Sequence, residues 1–549
     1  MLKENFVAYF ENSIKKNWDL NALSDYNGED YTYAETAKQI LYLHLIFKNA
    51  GIKKGDKVGL IGKNSARWGI TYIAVVTYGA VVVPILPDFK PDDVHNIVNH
   101  SDAVLLFAGD AMVEILDAKK MTQIMGIISV NNFKLVHSNS KEFESVLKNA
   151  EAKFAETYKD GITPESIHFD NIPNSELAVI SYTSGTTGFS KGVMLPHNSL
   201  AANIRFAHNH MPLNPGDPIV SFLPLAHTYG CAFEFLFPYT LGCHVTFLTK
   251  TPSPKIITQA FKEIKPALIL SVPLVIEKIY KNQILPEISK WHMKLLLVIP
   301  GIRKVILGKI KEKLTEVFGG NFRELVIGGA PFNHEAETFF RKLNFPATVG
   351  YGMTECGPLI SYTGWKENKT GSSGKPVDTL DVKIDSDDPE KEVGEIIVKG
   401  ENVMLGYYKN EEATREILDE DGWLHTGDLG LIDKEGNVYI KGRSKSLILG
   451  ANGKNIYPEE IESMINNRYC ISESLIVQRG EKLVALINPD SETIEKANVS
   501  EEELQRIMEH HKKDLNDHLP AYMNISKFEM HPMEFEKTPK RSIKRFMYQ

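Results

Sequence analysis

Alternating apolar segments in the first hundred residues place the tightest limit on the fold of this chain. Residues 57–61, 79–86 and 103–107 are apolar runs of strand length, while residues 33–50 and 68–78 repeat apolar side chains at helical spacing. Strands that alternate with helices in this way favour a parallel sheet covered by helices. We therefore predict an α/β fold, in which this region is scaffold.

The length and charge of the chain narrow its possible functions. Its 549 residues are too many for a single hydrophobic core and correspond to about three or four units of typical size. The composition, with 43% apolar and 24% charged residues, is that of an ordinary globular protein. A formal net charge of −8 argues against general nucleic-acid binding, which usually needs a basic surplus.

Several features of the sequence favour a cytoplasmic location. The scattered cysteines have neither metal-ligand spacing nor a dense disulfide pattern, so a reducing compartment is expected; they are Cys231, Cys243, Cys356 and Cys470. Residues 1–6 carry an acid early and lack a long apolar core, which does not fit a signal peptide. No apolar run approaches the roughly 20 residues of a membrane-spanning helix.

A segment rich in Gly, Ser and Thr, which we call the phosphate loop (residues 181–194), follows the apolar run 177–180. Its glycines allow the backbone to approach a ligand closely, and its hydroxyl and N–H groups suit phosphate oxygens. It is not a Walker loop, since that motif needs Gly-Lys-Ser/Thr opening a helix. A functionless surface loop is the alternative. The expected phosphate contacts are Thr183, Ser184, Gly185, Thr186, Thr187, Gly188 and the mobile charge of Lys191.

Two later segments also combine small residues with chemically useful side chains. Residues 325–331 form an apolar strand and then a small-residue turn against which a planar base can lie; the turn is Gly329, Ala330 and Pro331. In residues 350–358, Tyr351 offers a face for stacking beside Gly352. The same segment supplies the hydroxyl of Thr354 and the carboxylate of Glu355, which suits Mg²⁺.

Two more residues are candidates for ligand contact. Asp428, in residues 422–430, can accept hydrogen bonds from both hydroxyls of a ribose, although an Asp in a tight turn is the simpler alternative. His227 follows a strand interrupted by Pro224 and precedes an apolar helix expected at 231–240. This histidine therefore lies where the wall of a pocket could begin, with core packing as the alternative.

The phosphate loop and the segments after it closely resemble, in order, the motifs of the adenylate-forming superfamily of acyl-CoA synthetases, luciferases and peptide-synthetase adenylation domains. The resemblance covers nearly the whole chain. It is strongest to long-chain fatty acid–CoA ligases, on residues 58–83 and 222–280. A large N-terminal domain (1–442) of stacked helix-covered sheets with a smaller distorted barrel is implied. A small, mobile α+β C-terminal domain (443–549) would follow it.

The resemblance also implies roles for single residues, with ATP, Mg²⁺ and coenzyme A as ligands. The implied catalytic residues are Lys191, Thr354, Glu355 and His227, the last beside the substrate carboxylate. Residues 329–331 would line the adenine pocket, Asp428 and Arg443 would contact ribose or phosphate, and Glu355 with Thr187 would hold Mg²⁺. Lys445 matches the hinge, and the segment around Gly453 would line the coenzyme A tunnel.

One departure from the family pattern affects catalysis. The family ends with a loop whose last Lys bridges carboxylate and phosphate during adenylation, and Ser542 stands at that position here. A lost cation at a developing oxyanion typically costs about 10²–10³ in rate. Lys540, Arg541 or Lys544 would replace it by a local shift, unless this basic run is only a solvated tail.

The function implied is ATP-dependent activation of a long-chain fatty acid through an acyl-AMP, followed by transfer to coenzyme A. Two alternatives stay open: transfer to the phosphopantetheine of a carrier protein, and, because of Ser542, a nucleotide- or acyl-binding protein with little turnover. Residues 281–318 also form a basic insertion with the apolar run 295–300. Such a segment predicts either weak peripheral contact with the inner face of a membrane or a helix packed on the body.

Overall fold

The computed structural model describes residues 2–183, 190–250, 252–288, 290–450, 454–538 and 543–548. Several predicted positions lie outside these ranges, so their roles stay predictions: Ser184, Gly185, Thr186, Thr187, Gly188, Gly453, Lys540, Arg541 and Ser542.

An eight-stranded sheet forms the centre of the N-terminal half. Its five central strands are parallel, as the alternating pattern predicts, and antiparallel strands close both of its edges. The strands in spatial order are Gly406–Tyr407, Lys191–Pro196, Leu177–Thr183, Val81–Ile85, Lys57–Ile61, Ala103–Ala108, Gly126–Ser129 and Leu135–Ser138. The strand that precedes the phosphate loop therefore lies next to the buried strand Val81–Ile85.

Local sequence signals fix the helices that cover this sheet. A capping box of Thr32 and Glu35 starts helix Tyr33–Asn49. The Ser65 hydroxyl caps helix Ala66–Tyr78, which ends at Gly79 with a φ of +87°. The predicted starts and ends of both helices are confirmed to within two residues.

A second group of sheets packs beside the first. One has four strands in the order Pro218–Ser221, His244–Phe247, Asn21–Asp25 and Asp30–Thr32, and is parallel except at its last pair. Another has three parallel strands, Leu268–Ser271, Glu324–Ile327 and Ala347–Val349. The apolar helix expected at 231–240 is part of a continuous helix, 228–241, whose middle, Cys231–Leu236, winds as a π-helix.

Two antiparallel sheets complete the large domain. Their strands are Tyr351–Gly352, Leu359–Tyr362 and Lys375–Pro376 in one, and Leu380–Asp385, Gly394–Gly400, Leu424–Ile432 and Val438–Arg443 in the other.

The C-terminal domain has its own small core. Strands Ile471–Arg479, Lys482–Pro489 and Ile525–Met530 form a mixed sheet, and Ile448–Leu449 pairs with Asn455–Ile456. Helices Pro458–Asn466 and Glu501–His518 bury Ile461, Ile465 and Leu515 against it. The chain is thus a mixed α/β protein with a large N-terminal and a small C-terminal domain, and the fold-class prediction is confirmed.

The other α-helices pack around these sheets or connect them. They are Phe6–Lys16, Pro91–His100, Asp110–Val113, Lys141–Thr157, His197–His210, Pro254–Ile264, Pro273–Ile279, Leu285–Ile288, Trp291–Val298, Pro300–Val317, His334–Lys342, Glu411–Arg415 and Ser491–Ala497. Among the described residues, none of the helices combines the length and the apolar character needed to cross a bilayer.

Candidate active site

The two ends of the phosphate loop lie side by side. Strands Leu177–Thr183 and Lys191–Pro196 are antiparallel, and Thr183 is directly opposite Lys191. The Thr183 hydroxyl donates to the carbonyl of Lys191 at 3.4 Å. The side chain of Lys191 therefore starts from a fixed backbone position beside the end of a buried strand.

Tyr407 joins Lys191 to Glu355. The amine of Lys191 lies 4.7 Å from the centre of the Tyr407 ring, which is a cation–π contact. The Tyr407 hydroxyl donates to Oε1 of Glu355 at 2.9 Å. Strand Gly406–Tyr407 pairs with strand Lys191–Pro196, and the amide of Met404 donates to the carbonyl of Glu355, so both contacts have rigid supports.

The predicted ribose and base contacts form a second cluster. The Tyr351 hydroxyl donates to Oδ2 of Asp428 at 2.7 Å, and Nε of Arg443 lies 3.2 Å from Oδ1 of the same carboxylate. Burial raises the pKa of Asp428, and the charge of Arg443 opposes this. The negative charge of Glu355 also raises the pKa of Asp428. The two carboxylates are therefore close enough for their charges to interact.

The turn that carries Asp428 requires the residue types found there. Gly427 has a φ of +71°, a left-handed conformation that favours glycine. Its N–H donates to Oε1 of Glu395 at 2.8 Å, and the Thr426 hydroxyl donates to the carbonyl of Ile396 at 2.7 Å. The sequence Thr-Gly-Asp is thus anchored on the neighbouring strand Gly394–Gly400, which fixes the direction of the carboxylate.

The small-residue turn after strand Glu324–Ile327 faces the same region. Gly329 has a φ of +87°, and Gly329, Ala330 and Pro331 are exposed. The ring of Tyr229 lies against Gly328, where an added Cβ would stand 3.2 Å from the ring, and the Tyr229 hydroxyl donates to the carbonyl of Val326 at 3.1 Å. The amide of Gly350 donates to the carbonyl of Ile327 at 3.0 Å, so this turn is joined to the Tyr351 segment.

The segment that leads to His227, at the start of helix 228–241, is held by a half-buried Asn64 and a buried Glu234. Asn64 donates to the carbonyl of Leu223 at 2.7 Å and accepts from the amide of Leu225 at 3.0 Å. The Glu234 carboxyl accepts from the amides of Phe222 and Leu223 at 3.0 and 2.9 Å, and burial raises its pKa well above the usual value. The segment before His227 is therefore fixed from both sides.

A narrow apolar cavity connects these elements. It is bordered by Ala226 and Thr228 on either side of His227, by Ser181 from the strand before the phosphate loop, and by Gly357, two residues after Glu355. Tyr407 links Lys191 with Glu355, and a hydrogen bond joins Tyr351 to Asp428. The charge of Glu355 acts on Asp428, whereas only the sequence neighbours of His227 border this cavity.

The hinge candidate lies where the two domains meet. Lys445 is exposed in the short 3₁₀ turn Ser444–Ser446, directly after strand Val438–Arg443. Lys281 of the large domain donates to the carbonyls of Asn466, at 2.8 Å, and Ile471. Asn333 donates to the carbonyl of Ser463 at 2.9 Å. Side chains of the large domain therefore hold the backbone of the small domain in this orientation.

The basic C-terminal segment is only partly described. Lys537 pairs with Glu473 at 2.7 Å, and the guanidinium of Arg545 forms a two-point ion pair with Glu462, with Nη1 2.9 Å from Oε1. Both of these cations are engaged inside the small domain. Of the three replacements proposed for the missing Lys, only Lys544 is described; its backbone N–H donates to the carbonyl of Glu536 at 2.8 Å.

The donor set near Glu355 fits a magnesium ion shared with phosphates. Oε1 of Glu355 accepts from Tyr407, whereas no described residue donates to its second carboxylate oxygen. In the described part of the chain, no group of three or more His, Cys, Asp or Glu side chains could hold a metal ion by itself. Mg²⁺ commonly binds through one or two carboxylates and the substrate phosphates, so a single buried carboxylate is sufficient.

The sequence did not point to several residues that shape this site. Tyr407 lies in a two-residue strand without a motif, and only the three-dimensional structure brings it to Lys191 and Glu355. Glu234 could have been found, because it is the lone charge in the apolar run Cys231–Leu236 and such a charge needs buried partners. Asn64 and Glu395 carry no comparable signal.

Comparisons with known proteins agree with the resemblance. Residues 10–408 match the family model described as AMP-binding enzyme, and residues 445–548 match the model of the AMP-binding enzyme C-terminal domain. A peroxisomal long chain acyl-CoA synthetase of Arabidopsis thaliana is 31% identical over 90% of this chain and 74% of its own length. A long-chain-fatty-acid–CoA ligase of Mycobacterium bovis is 29% identical over 85% of this chain and 78% of its own length.

Solved structures show the same fold. An anthranilate CoA ligase in complex with anthranoyl-AMP superimposes with a TM-score of 0.77 at 20% identity, covering 100% of this chain and 97% of that one. The o-succinylbenzoate coenzyme A synthetase of Bacillus subtilis, in complex with ATP and a magnesium ion, has a TM-score of 0.73 at 22% identity, covering 98% of each chain.

Proposed function

The chain belongs to the AMP-binding enzyme family and is an adenylate-forming acid–CoA ligase, and from this premise we propose that it activates long-chain fatty acids with ATP and transfers them to coenzyme A. The observation that carries the proposal is the convergence of Lys191, Tyr407 and Glu355 with Tyr351, Asp428 and Arg443. The long-chain assignment is supported by relatives that are 31% and 29% identical and are named for long-chain acids.

In the first step, a carboxylate oxygen of the fatty acid attacks the α-phosphorus of ATP. A new oxygen–phosphorus bond forms, the bond between the α- and β-phosphates breaks, and pyrophosphate leaves with the negative charge. The protein contributes mainly position and charge neutralisation. Lys191 and the phosphate loop hold the phosphates, Thr354 contacts the α-phosphate, and His227 lies beside the attacking carboxylate.

A magnesium ion held by Glu355, with Thr187 as a further ligand, would neutralise phosphate charge in this step. The hydrogen bond from Tyr407 orients the Glu355 carboxylate for that purpose. Asp428 receives the ribose hydroxyls, and its own orientation is fixed by Tyr351 and Arg443. Adenine lies against the backbone of residues 329–331 and against the ring of Tyr351.

In the second step, the sulfur of coenzyme A attacks the acyl carbonyl of the acyl-AMP. The carbon–sulfur bond forms, the acyl–phosphate bond breaks, AMP leaves, and the thiol proton is released. A rotation of the small domain about Lys445 brings residues around Gly453 to the site. The contacts of Lys281 and Asn333 with the small domain must break during this rotation.

The test is identification of the products by mass spectrometry. Incubation with ATP, Mg²⁺, palmitate and coenzyme A is expected to yield palmitoyl-CoA, AMP and pyrophosphate in equal amounts. The kcat/KM values of a panel of fatty acids, about 6 to 18 carbons long, are then compared. We expect the highest kcat/KM with the long acids.

Two outcomes of this test would favour the alternatives. Thioester formation on a holo-carrier protein, without reaction of free coenzyme A, would identify a carrier-loading ligase. Intact ATP binding with no pyrophosphate release would identify a binding protein and contradict the ligase, in which case the absence of a cation at Ser542 would be the physical reason.

A further inference from the structure

Two consecutive helices of the insertion carry a row of exposed apolar side chains. Trp291, Leu295 and Val298 on helix Trp291–Val298 are 75%, 61% and 78% exposed. The row continues with Ile299, the residue before helix Pro300–Val317, and with Ile302 and Val305 in the first two turns of that helix. Exposed apolar residues that stand alone are ordinary, whereas a cluster such as these six, all within residues 291–305, marks a candidate interaction surface. We call these six residues the apolar ridge.

The apolar ridge is not part of the protein core. Helix Pro300–Val317 is anchored at its far end, where Leu314 is buried and Ile310 packs against the core. At the near end, a Cβ added at Gly301 or Gly308 would meet no atom within 4 Å. The ridge therefore points into solvent, away from the anchored end of its own helix, and is not covered by any described part of the chain.

The sequence that carries the ridge is strongly basic. Between Glu287 and Glu312 the sequence contains six Lys or Arg residues and no acid, in a chain with a formal net charge of −8; they are Lys290, Lys294, Arg303, Lys304, Lys309 and Lys311. Arg303, Lys304 and Lys309 are exposed, and none of them forms an ion pair with a described residue. This local surplus is opposite in sign to the chain as a whole.

We propose that the apolar ridge and its basic surroundings bind the surface of an anionic lipid bilayer. An apolar helix face inserts at the boundary between headgroups and acyl chains, and each Lys or Arg near an anionic surface adds to the attraction. Tryptophan is enriched at this boundary, which suits the exposed ring of Trp291. An anionic bilayer provides an apolar environment for the exposed side chains and negative charge for the unpaired cations.

The position of the insertion relates this surface to the active site. It connects strands Leu268–Ser271 and Glu324–Ile327, which are neighbours in one parallel sheet. The second strand leads directly into the turn of residues 328–331. The biological purpose of this surface rests on the proposed function. Because long-chain acids partition into bilayers, a ligase bound to a bilayer meets its substrate where that substrate is concentrated.

The primary experiment is co-sedimentation of the full-length protein with vesicles, without substrates. Neutral phosphatidylcholine vesicles are compared with vesicles that also contain phosphatidylglycerol. We expect binding to the anionic vesicles that weakens with added salt, because surface charge attraction is screened. The W291S/L295S/V298S variant should bind at least about tenfold more weakly. The R303Q/K304Q/K309Q variant should lose about a hundredfold, since one basic residue near such a surface contributes roughly fivefold.

A matched control removes the same charge elsewhere. Lys141, Lys148 and Lys153 are exposed on helix Lys141–Thr157, which also carries acidic side chains. The K141Q/K148Q/K153Q variant is expected to bind vesicles like the wild type. The melting temperature of each variant shows whether that variant folds. The W291F variant allows a second measurement, the quenching of tryptophan fluorescence by lipids. Brominated lipids should quench Trp291 in the wild type, and W291F should lose that part of the quenching.

Three results would overturn the proposal. The first is no binding to anionic vesicles, and the second is binding that neither triple variant weakens. The third is self-association that W291S/L295S/V298S abolishes in sedimentation velocity, which would make the ridge an interface between copies. Because the assay needs no catalysis, these results are separate from failure of the ligase. As a kinetic readout, the KM for palmitate presented in vesicles should rise in both triple variants, whereas the KM for soluble octanoate should not.

Discussion

The Tyr407→Phe substitution tests how the Glu355 carboxylate is positioned. It removes only the hydroxyl that donates to Oε1 of Glu355 at 2.9 Å and leaves the ring beneath the Lys191 amine. Tyr407 and Glu355 are 7% and 9% exposed, so water cannot readily replace the lost donor. A hydrogen bond to a charged group is worth about 1.5–3 kcal/mol. Since each 1.36 kcal/mol is a factor of ten in rate, we expect kcat/KM for ATP to fall about 10- to 100-fold.

The assay is fatty-acid-dependent pyrophosphate release, measured over a range of ATP concentrations. A matched control lies one residue further along the chain: the Tyr408 hydroxyl donates to Asp102 at 2.7 Å, and the Asp102 side chain is 42% exposed. Tyr408→Phe removes a similar hydrogen bond away from the site and should change kcat/KM less than about twofold, because exposed interactions contribute little.

A third variant separates the hydroxyl from the ring. Tyr407→Leu also removes the cation–π contact with Lys191, worth about 0.5–2 kcal/mol, and should therefore be slower than Tyr407→Phe. If Tyr407→Phe retained wild-type kinetics, or was affected no more than Tyr408→Phe, the Tyr407–Glu355 hydrogen bond would have no part in catalysis and the reasoning would be refuted.

Three further predictions concern other parts of the structure. Asp428→Asn removes the charge that pairs with Arg443 and should weaken ATP binding about 10- to 100-fold in titration calorimetry; equal affinity would exclude the ribose role. Lys281→Met keeps the apolar stem but removes the donor to the small domain, so hydrogen exchange of residues 458–471 should quicken about tenfold or more, and unchanged exchange would show that this contact does not hold the domain. Burial raises the pKa of Glu277 from 4.5 to about 7, against the nearby charge of Lys281. The contribution of Glu277 to the free energy of unfolding is therefore fully present below about pH 4.5 and is lost as the pH rises through about 7. The loss amounts to about 3 kcal/mol. Glu277→Gln should then melt at a higher temperature relative to the wild type at pH 8 than at pH 5, and a constant difference would exclude the titration.

Much of the fold could be predicted because local signals and the global fold agree. The strand at 57–61 and the helix from Tyr33 depend on short-range periodicity and capping, and both were predicted closely. The π-helical turn Cys231–Leu236 could not be predicted, since it repeats the same apolar pattern as an α-helix. Within this turn, Glu234 accepts hydrogen bonds from the amides of Phe222 and Leu223, and a single sequence does not reveal such tertiary contacts.

The candidate site was predictable where function requires a residue type at a fixed spacing. Gly427 is an example, because its φ of +71° explains the glycine of the Thr-Gly-Asp triplet. Tyr407 and Lys281 act through contacts between segments 50 or more residues apart in sequence, and pairings at that distance leave no trace in a single sequence. The assignment of single residues to nucleotide, metal and acceptor stays a prediction.

The central claim is that residues from these separate segments surround one ATP molecule and join it to a fatty acid. Exchange of labelled pyrophosphate into ATP, measured with palmitate and Mg²⁺ but without coenzyme A, tests it most directly, because exchange requires reversible formation of the acyl-AMP. We predict exchange that depends on palmitate and falls at least about 100-fold in a Lys191→Ala variant. Absence of exchange in a protein that still binds ATP, or exchange that does not depend on Lys191, would contradict the account.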